Sequence, residues 1–100
     1  MAGFVQIIQY KTSKFDEMQK LIDKFRAETE GRRTTVRGMT CRDRDNAGTF
    51  MNIIEFPSYE AAMKNSELPE TQAVAAEMQK LADGPPTFYN LDVERVIEEM

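Results

Sequence analysis

Histidine and tryptophan are absent from this 100-residue chain, and cysteine occurs once, as Cys41. Histidine is the side chain whose ordinary pKa lies nearest neutrality, and it is the commonest protein ligand for transition metals. Its absence excludes Ser-His-Asp and Cys-His catalysis, histidine-ligated haem and two-histidine metal triads. A single cysteine excludes thiolate zinc sites and internal disulfides. Any chemistry must therefore proceed without the usual proton shuttle, and we expect no metal and no cofactor.

Long apolar runs and an excess of basic residues are missing as well. No apolar run approaches the roughly 20 residues that span a bilayer, and the N-terminus lacks a basic segment followed by a secretory apolar stretch. A lone cysteine suits a reducing compartment. The net charge of −4 argues against nucleic acid, which calls for a basic face. We therefore expect a cytoplasmic protein with no membrane and no nucleic-acid partner.

The composition is that of an ordinary globular domain. Hydrophobic residues make up 41% and charged residues 30% of the chain. A chain of this length suits one hydrophobic core, so we expect one domain over residues 1–100.

Residue periodicity predicts four strands. Segments rich in β-branched and aromatic residues cover 4–11, 34–42, 49–56 and 87–97. A cluster of turn-forming residues at 43–48 separates the second and third strands and predicts a hairpin.

Apolar residues at spacings of three and four predict helices between these strands. Ser13, with Asp16 three residues later, resembles a capping box that starts the first helix, and Gly31 is placed to end it. Ser58 caps a short helix from Tyr59 to about Asn65. Pro69 begins a further helix that the Gly-Pro-Pro segment at 84–86 ends.

The resulting order, βαββαβ, predicts an α+β ferredoxin-like fold: a four-stranded antiparallel sheet with its helices on one face. The first and third strands are apolar on both faces, which indicates burial on both sides. Since the helices cover one face only, we expect a second copy to cover the other, giving a homodimer through the sheet face.

The whole chain resembles the dimeric α/β-barrel superfamily, most closely its antibiotic biosynthesis monooxygenase (ABM) branch. The resemblance lies in the element order, in the opening FVQIIQYKTSKFDEMQKLIDKF, and in IIEFPSYEAAMKNSELPE. It implies a ligand cavity between sheet and helices, and activities that include cofactor-free oxygenation. The haem-degrading branch uses an Asn, a Trp and a His at positions that look like Gln6, Met63 and about Ala73 here, so all three depart from that pattern.

RNA-recognition domains share the βαββαβ order and are the competing resemblance. In those domains the bases of the bound RNA stack on aromatic side chains in the central strands. Met51 and Ile53 occupy the corresponding positions here, so RNA binding is disfavoured.

Polar residues on otherwise apolar strand faces are the candidate site. Gln6 lies among Phe4, Ile8 and Tyr10, and Asn52 lies between Phe50 and Ile54. Pockets for small molecules are mostly apolar with a few convergent polar groups. We predict that Gln6, Tyr10 and Asn52 form the polar part of a pocket with Met63 near its rim, and we assign no catalytic residue.

Two functional hypotheses remain open. One is a small-molecule-binding homodimer of ABM type, acting as a cofactor-independent monooxygenase on an aromatic or polyketide-like substrate. The alternative is a non-catalytic ligand-binding or structural dimer. A basic stretch with five arginines between 32 and 44 is either a solvated surface, an anion site or a contact between unlike patches of two subunits.

Overall fold

Four strands and three helices form the part of the chain, residues 2–98, that a computed structural model describes. In chain order they are β1 (Phe4–Lys11), α1 (Phe15–Glu28), β2 (Arg37–Arg42), β3 (Thr49–Phe56), α2 (Tyr59–Ser66), α3 (Pro69–Leu81) and β4 (Thr87–Asp92). The predicted α+β ferredoxin-like fold is confirmed, with the second helical segment divided at Pro69 as expected. Within residues 2–98, none of these helices has the length and apolar character needed to cross a bilayer.

The sheet is antiparallel, with strand order β2-β3-β1-β4. The two apolar strands, β1 and β3, are therefore its centre, and their register pairs Phe4 with Phe56 and Tyr10 with Phe50. Side chains alternate between faces along a strand. All even-numbered residues of β1 and β3 consequently share one face, and all odd-numbered residues share the other.

All three helices cover the even-numbered face. Near one end of the sheet, Ala62 and Met63 of α2 pack against Phe4 and Phe56. Near the other end, Met18 of α1 forms a cluster with Tyr10 and Phe50, and Met78 and Leu81 of α3 pack against that cluster. The core is therefore two separate clusters joined by the sheet rather than one continuous layer.

Two strands are shorter than predicted. β2 starts at Arg37 rather than at residue 34, because Thr34 bonds to α2: its Oγ1 donates to the Ala61 carbonyl at 2.6 Å. β4 ends at Asp92 rather than at residue 97, because its neighbour β1 begins at Phe4, which pairs with Asp92. Beyond Asp92, within the described residues, the segment has only the start of the chain beside it, where the Val93 N–H donates to the Gly3 carbonyl at 3.0 Å.

The predicted capping of α1 is wrong, and that of α2 is right. The N-cap of helix α1 is Lys14, which makes no side-chain cap bond. The polar side chain that bonds at this helix start is Thr12, whose Oγ1 accepts from the Lys14 N–H at 2.9 Å and donates to the Leu81 carbonyl. Ser58 caps α2, its Oγ accepting from the Ala61 N–H at 3.1 Å. Gly31 has the expected positive φ of 83°, but it follows the helix end, which is capped at Thr29.

The two serines make a matched pair for testing these caps. Ser58→Ala removes a bonded N-cap, so we expect it to lower the free energy of unfolding by about 0.5–2 kcal/mol. Ser13→Ala removes an exposed side chain that makes no cap bond, and we expect a change of less than about 0.5 kcal/mol. Urea unfolding followed by circular dichroism measures both values. Equal losses in the two variants would contradict the capping described here.

Candidate ligand-binding site

A hydrogen-bonded cluster on the helix-covered face joins three strands. The side-chain carbonyl of Asn52 accepts from the Tyr10 hydroxyl at 3.2 Å and from the Thr40 hydroxyl at 3.0 Å. Asn52 and Tyr10 are buried, with 8% and 4% of their surfaces exposed. The sheet register explains the cluster: Thr40 and Ile8 flank Asn52 on the neighbouring strands, and Tyr10 is two residues along from Ile8.

These bonds fix the orientation of the Asn52 amide. Its Oδ1 holds two hydroxyl donors, so its Nδ2 points elsewhere as a donor of its own. Within residues 2–98, Nδ2 donates to no protein acceptor among the side-chain hydrogen bonds, and it is not fully buried. A buried amide held by its carbonyl end therefore presents N–H groups that can bind an oxygen atom of a ligand.

Gln6 lies on the same face as Asn52 and one pair further along the sheet. Its Nε2 donates to the Oδ1 of Asn90 in β4 at 3.2 Å. Because Gln6 pairs with Ile54, it is a diagonal neighbour of Asn52, at a separation of about 7–8 Å. The two amides thus share a face without bonding to each other.

Met63 is half-buried in α2 and packs against the cluster of Phe4, Phe56 and Ala62. Ile54 also packs against that cluster, and Ile54 is the pair partner of Gln6. The structure therefore joins Tyr10 and Asn52 directly and brings Gln6 to the same face. The polar side chains on this face form one row, which consists of Tyr10, Thr40, Asn52, Gln6 and Asn90. Met63 lies beside the Gln6 end of this polar row.

Burial decides the protonation state of Tyr10. Removal from water raises the pKa of its phenol above the ordinary value of 10.0, and the hydrogen bond to Asn52 offsets this only in part. At neutral pH Tyr10 is therefore a neutral donor that positions Asn52, and it is not available as a phenolate base.

Two cavities in the described part of the chain lie away from Gln6, Tyr10, Asn52 and Met63. One, of about 380 Å³, lies between the loop after α1 and β2. The other, of about 70 Å³, is a groove between α1 and α3 that includes Ala73. Asn52 lies between the two core clusters, where Ile8, Ile54, Met63 and Met78 are half-buried.

Metal ligands do not cluster in residues 2–98: no group of three or more His, Cys, Asp or Glu side chains is placed to hold an ion. The three positions that resemble haem-site positions are also dispersed. Gln6 and Met63 lie on the sheet side of the helices, whereas Ala73 is exposed on α3 in the groove with α1.

The fold has close structural relatives. SnoaB, a cofactor-independent oxygenase from Streptomyces nogalater, superimposes with a TM-score of 0.82 over 99% of this chain and 100% of its own, at 13% identity. The fold is that of the ABM structures. A candidate antibiotic biosynthesis monooxygenase from Caulobacter crescentus gives a TM-score of 0.78 at 17% identity, covering 94% of this chain and 92% of that one. Rv0793 from Mycobacterium tuberculosis gives 0.73 at 14% identity, covering 98% of each chain.

Sequence comparison adds nothing to this likeness, since the chain matches no protein-family model and no curated protein sequence. At identities of 13–17%, the structural matches establish a shared ABM-like fold. They do not establish an activity.

Two members of the polar row were not predicted from the sequence. Thr40 and Asn90 lie on the edge strands, and no periodicity within either strand shows that they meet Asn52 and Gln6. Both are found only once the register is known, because Thr40 pairs with Asn52 and Asn90 pairs with Gln6.

Alkaline unfolding tests the buried phenol. Because the folded-state pKa of Tyr10 is raised, the unfolded chain releases this proton first. The stability that Tyr10 contributes is fully present below about pH 10 and is lost as the pH rises through the folded-state pKa. We expect Tyr10→Phe to lose less stability than the parent chain between about pH 9 and pH 12. Urea unfolding at a series of pH values measures this.

Tyr59→Phe is the control, because Tyr59 is 51% exposed. Its stability should fall with pH as steeply as that of the parent chain. A Tyr10→Phe curve parallel to the other two would show that the phenol titrates normally.

Proposed function

We propose that this chain is a small-molecule-binding homodimer that oxygenates an electron-rich aromatic or polyketide-like substrate without a cofactor. The observation that carries the proposal is the fixed amide of Asn52, which offers N–H donors from a buried position between two apolar clusters. An apolar layer with a few oriented polar groups is the usual form of a small-molecule site. The shared fold with SnoaB, a cofactor-independent oxygenase, supports the reaction class.

Oxygenation without a cofactor is balanced when the substrate supplies the electrons. A substrate with a CH₂ group conjugated through its aromatic rings to a ketone, as in an anthrone, reacts with O₂ so that this carbon becomes a carbonyl and the second oxygen atom leaves as water. The reactive form is the enolate, and hydrogen-bond donors that stabilise its oxygen lower the cost of forming it. Asn52 is the donor in place for that oxygen, and Gln6 is the next amide along the same face.

The polar row contains no base for this proton at neutral pH. Tyr10 is protonated, and Thr40, Asn52, Gln6 and Asn90 are uncharged. A substrate for this site must therefore be acidic enough to ionise with water as the proton acceptor. This favours phenols and hydroxylated anthrones over simple aromatic hydrocarbons.

Methionines allow this layer to accept ligands of varied shape. Met63 and Met78 are half-buried on the helix side. Met63 packs against the cluster of Phe4 and Phe56, and Met78 packs with Met18 against the cluster of Tyr10 and Phe50. Unbranched thioether side chains repack at low cost, so a planar ligand can separate the clusters without breaking a rigid core.

The second copy in this proposal covers the odd-numbered sheet face, which the helices leave open. Eight apolar side chains lie on it: Val5, Ile7, Met39, Cys41, Met51, Ile53, Tyr89 and Leu91. Three of them are large and well exposed, namely Met39 at 42%, Tyr89 at 43% and Leu91 at 44%. A continuous patch of this kind exceeds what monomers usually expose, and a copy of the same face is self-complementary to it.

Asn52→Asp tests the donor. At pH 8 the carboxylate can still accept from Tyr10 and Thr40, but it has no N–H group and repels an enolate. We expect binding of dithranol, a dihydroxylated anthrone, to weaken by roughly tenfold to a hundredfold, the scale of one lost buried hydrogen bond. Fluorescence titration under argon measures binding, and an oxygen electrode measures turnover above the rate in buffer.

Asn65→Asp is the matched control, because the Asn65 Oδ1 also accepts a hydrogen bond, from the Thr34 N–H at 3.4 Å. It makes the same change of charge in α2 and should bind and react as the parent chain does. Binding without O₂ uptake by the parent chain would favour the non-catalytic alternative. Equal effects of the two substitutions would remove Asn52 from the site.

Leu91→Glu tests the dimer. The substitution places a charge on the open face at a site already exposed in one chain, so the chain should fold but associate at least about 30-fold more weakly. Phe88→Glu is the control, since Phe88 is 54% exposed on the opposite face of the same strand. Sedimentation at micromolar concentration should give about twice the 11.5 kDa chain mass for the parent and the control. A parent chain that sediments as a folded monomer would contradict the proposal.

A further inference from the structure

A cavity of about 380 Å³ lies where the loop after α1 passes the edge strand β2, away from the polar row around Asn52. Its walls come from the last turn of α1, the following loop and the start of β2. The lining residues are Arg26, Gly31, Arg33, Thr35, Val36, Arg37 and Gly38.

Three arginines and no carboxylate line this cavity. Arg37 is neutralised in part, because its Nε donates to the Glu55 carboxylate at 2.7 Å. Among the ion pairs formed within residues 2–98, none includes Arg26 or Arg33. The walls therefore carry about two uncompensated positive charges in a chain whose net charge is −4.

Arg33 carries a buried donor without an acceptor. Its Nε is shielded from solvent and, among the described residues, has no hydrogen-bond partner. Leaving a buried charged donor unpaired costs on the order of 1–3 kcal/mol or more, and such groups in native proteins call for a specific explanation. The Nη nitrogens of Arg33 are not shielded in this way, so an acceptor that enters the cavity would bond to them.

Two glycines leave room for that acceptor. Gly31 has φ of 83°, and a side chain built there would meet no atom within 4 Å. At Gly38 the nearest atom is a backbone carbonyl oxygen at 3.7 Å. The space beside both glycines is open, so neither position closes the cavity.

We propose that this cavity binds a small oxyanion, either inorganic phosphate or the phosphate or carboxylate group of a metabolite. Guanidinium groups present planar pairs of donors that match the spacing of oxygen atoms in phosphates and carboxylates. Arg33 supplies guanidinium donors and one free charge, Arg26 supplies the second free charge, and Arg37 lines the β2 side of the cavity. The site shares no residue with the proposed oxygenase site and stands whether or not that function is correct.

Isothermal titration at constant ionic strength tests the site, with inorganic phosphate in one arm and citrate in the other. We expect saturable binding in at least one arm, and the tighter ligand identifies the preferred oxyanion. Arg33→Gln should weaken that binding at least tenfold. Arg44→Gln, in the hairpin between β2 and β3 and outside the cavity, makes the same charge change and should leave the affinity within about twofold.

Arg26→Gln is the second variant, for use if Arg33→Gln fails to give the parent circular dichroism spectrum. The absence of saturable binding in both arms would overturn the proposal. So would equal weakening by Arg44→Gln, since this would indicate attraction by overall charge rather than by the cavity.

Discussion

The antiparallel pairing of β1 with β3 is the constraint on which the other features depend. Both strands are apolar on both faces, so they form the centre of the sheet, and β2 and β4 form its edges. Once Phe4 pairs with Phe56 and Tyr10 with Phe50, the face of every other side chain in the two strands follows from the two-residue repeat. A slip of β3 by one residue against β1 would transfer Asn52 to the open face, away from Gln6, and bring Met51 and Ile53 beneath the helices.

The two faces of this sheet differ in composition. The helix-covered face holds two apolar clusters with a row of amides and hydroxyls between them, which is unusual for a layer that only stabilises a fold. The Asn52 amide is bonded at its carbonyl end, and its Nδ2 is left with water or a ligand as its partner. In the proposed function that partner is the ligand. At the centre of the open face lies one apolar row, Met39, Ile53, Ile7 and Tyr89, with Gln9 and Glu55 in the rows beside it. In the proposed dimer a second copy covers this row.

The neighbouring arginines of the α1–β2 loop differ in their partners. Arg32 binds Glu70 in α3 at 2.7 Å, and its hydrogen bond holds the pKa of the Glu70 carboxyl below its usual value. This pair links the loop to α3, although an exposed ion pair contributes little to stability. Arg33, the next residue, faces the cavity instead and makes no such pair among the described residues. Adjacent arginines thus differ because one has a carboxylate within reach and the other has an open cavity.

The sequence by itself determined the order of the elements, the apolar character of both faces of the central strands and the Ser58 cap. These follow from local periodicity and from local backbone bonds, which depend on residues close together in the chain. The ends of β2 and β4, the displacement of the Ser13 cap by Thr12, and the addition of Thr40 and Asn90 to the polar row were decided by the tertiary structure alone. In each case the deciding partner is distant in sequence: Thr34 bonds to Ala61, Thr12 to Leu81, and Gln6 to Asn90. The cavity of Arg26, Arg33 and Arg37 is of the same kind, because only the packing of the loop against β2 shows which arginines meet a carboxylate and which do not.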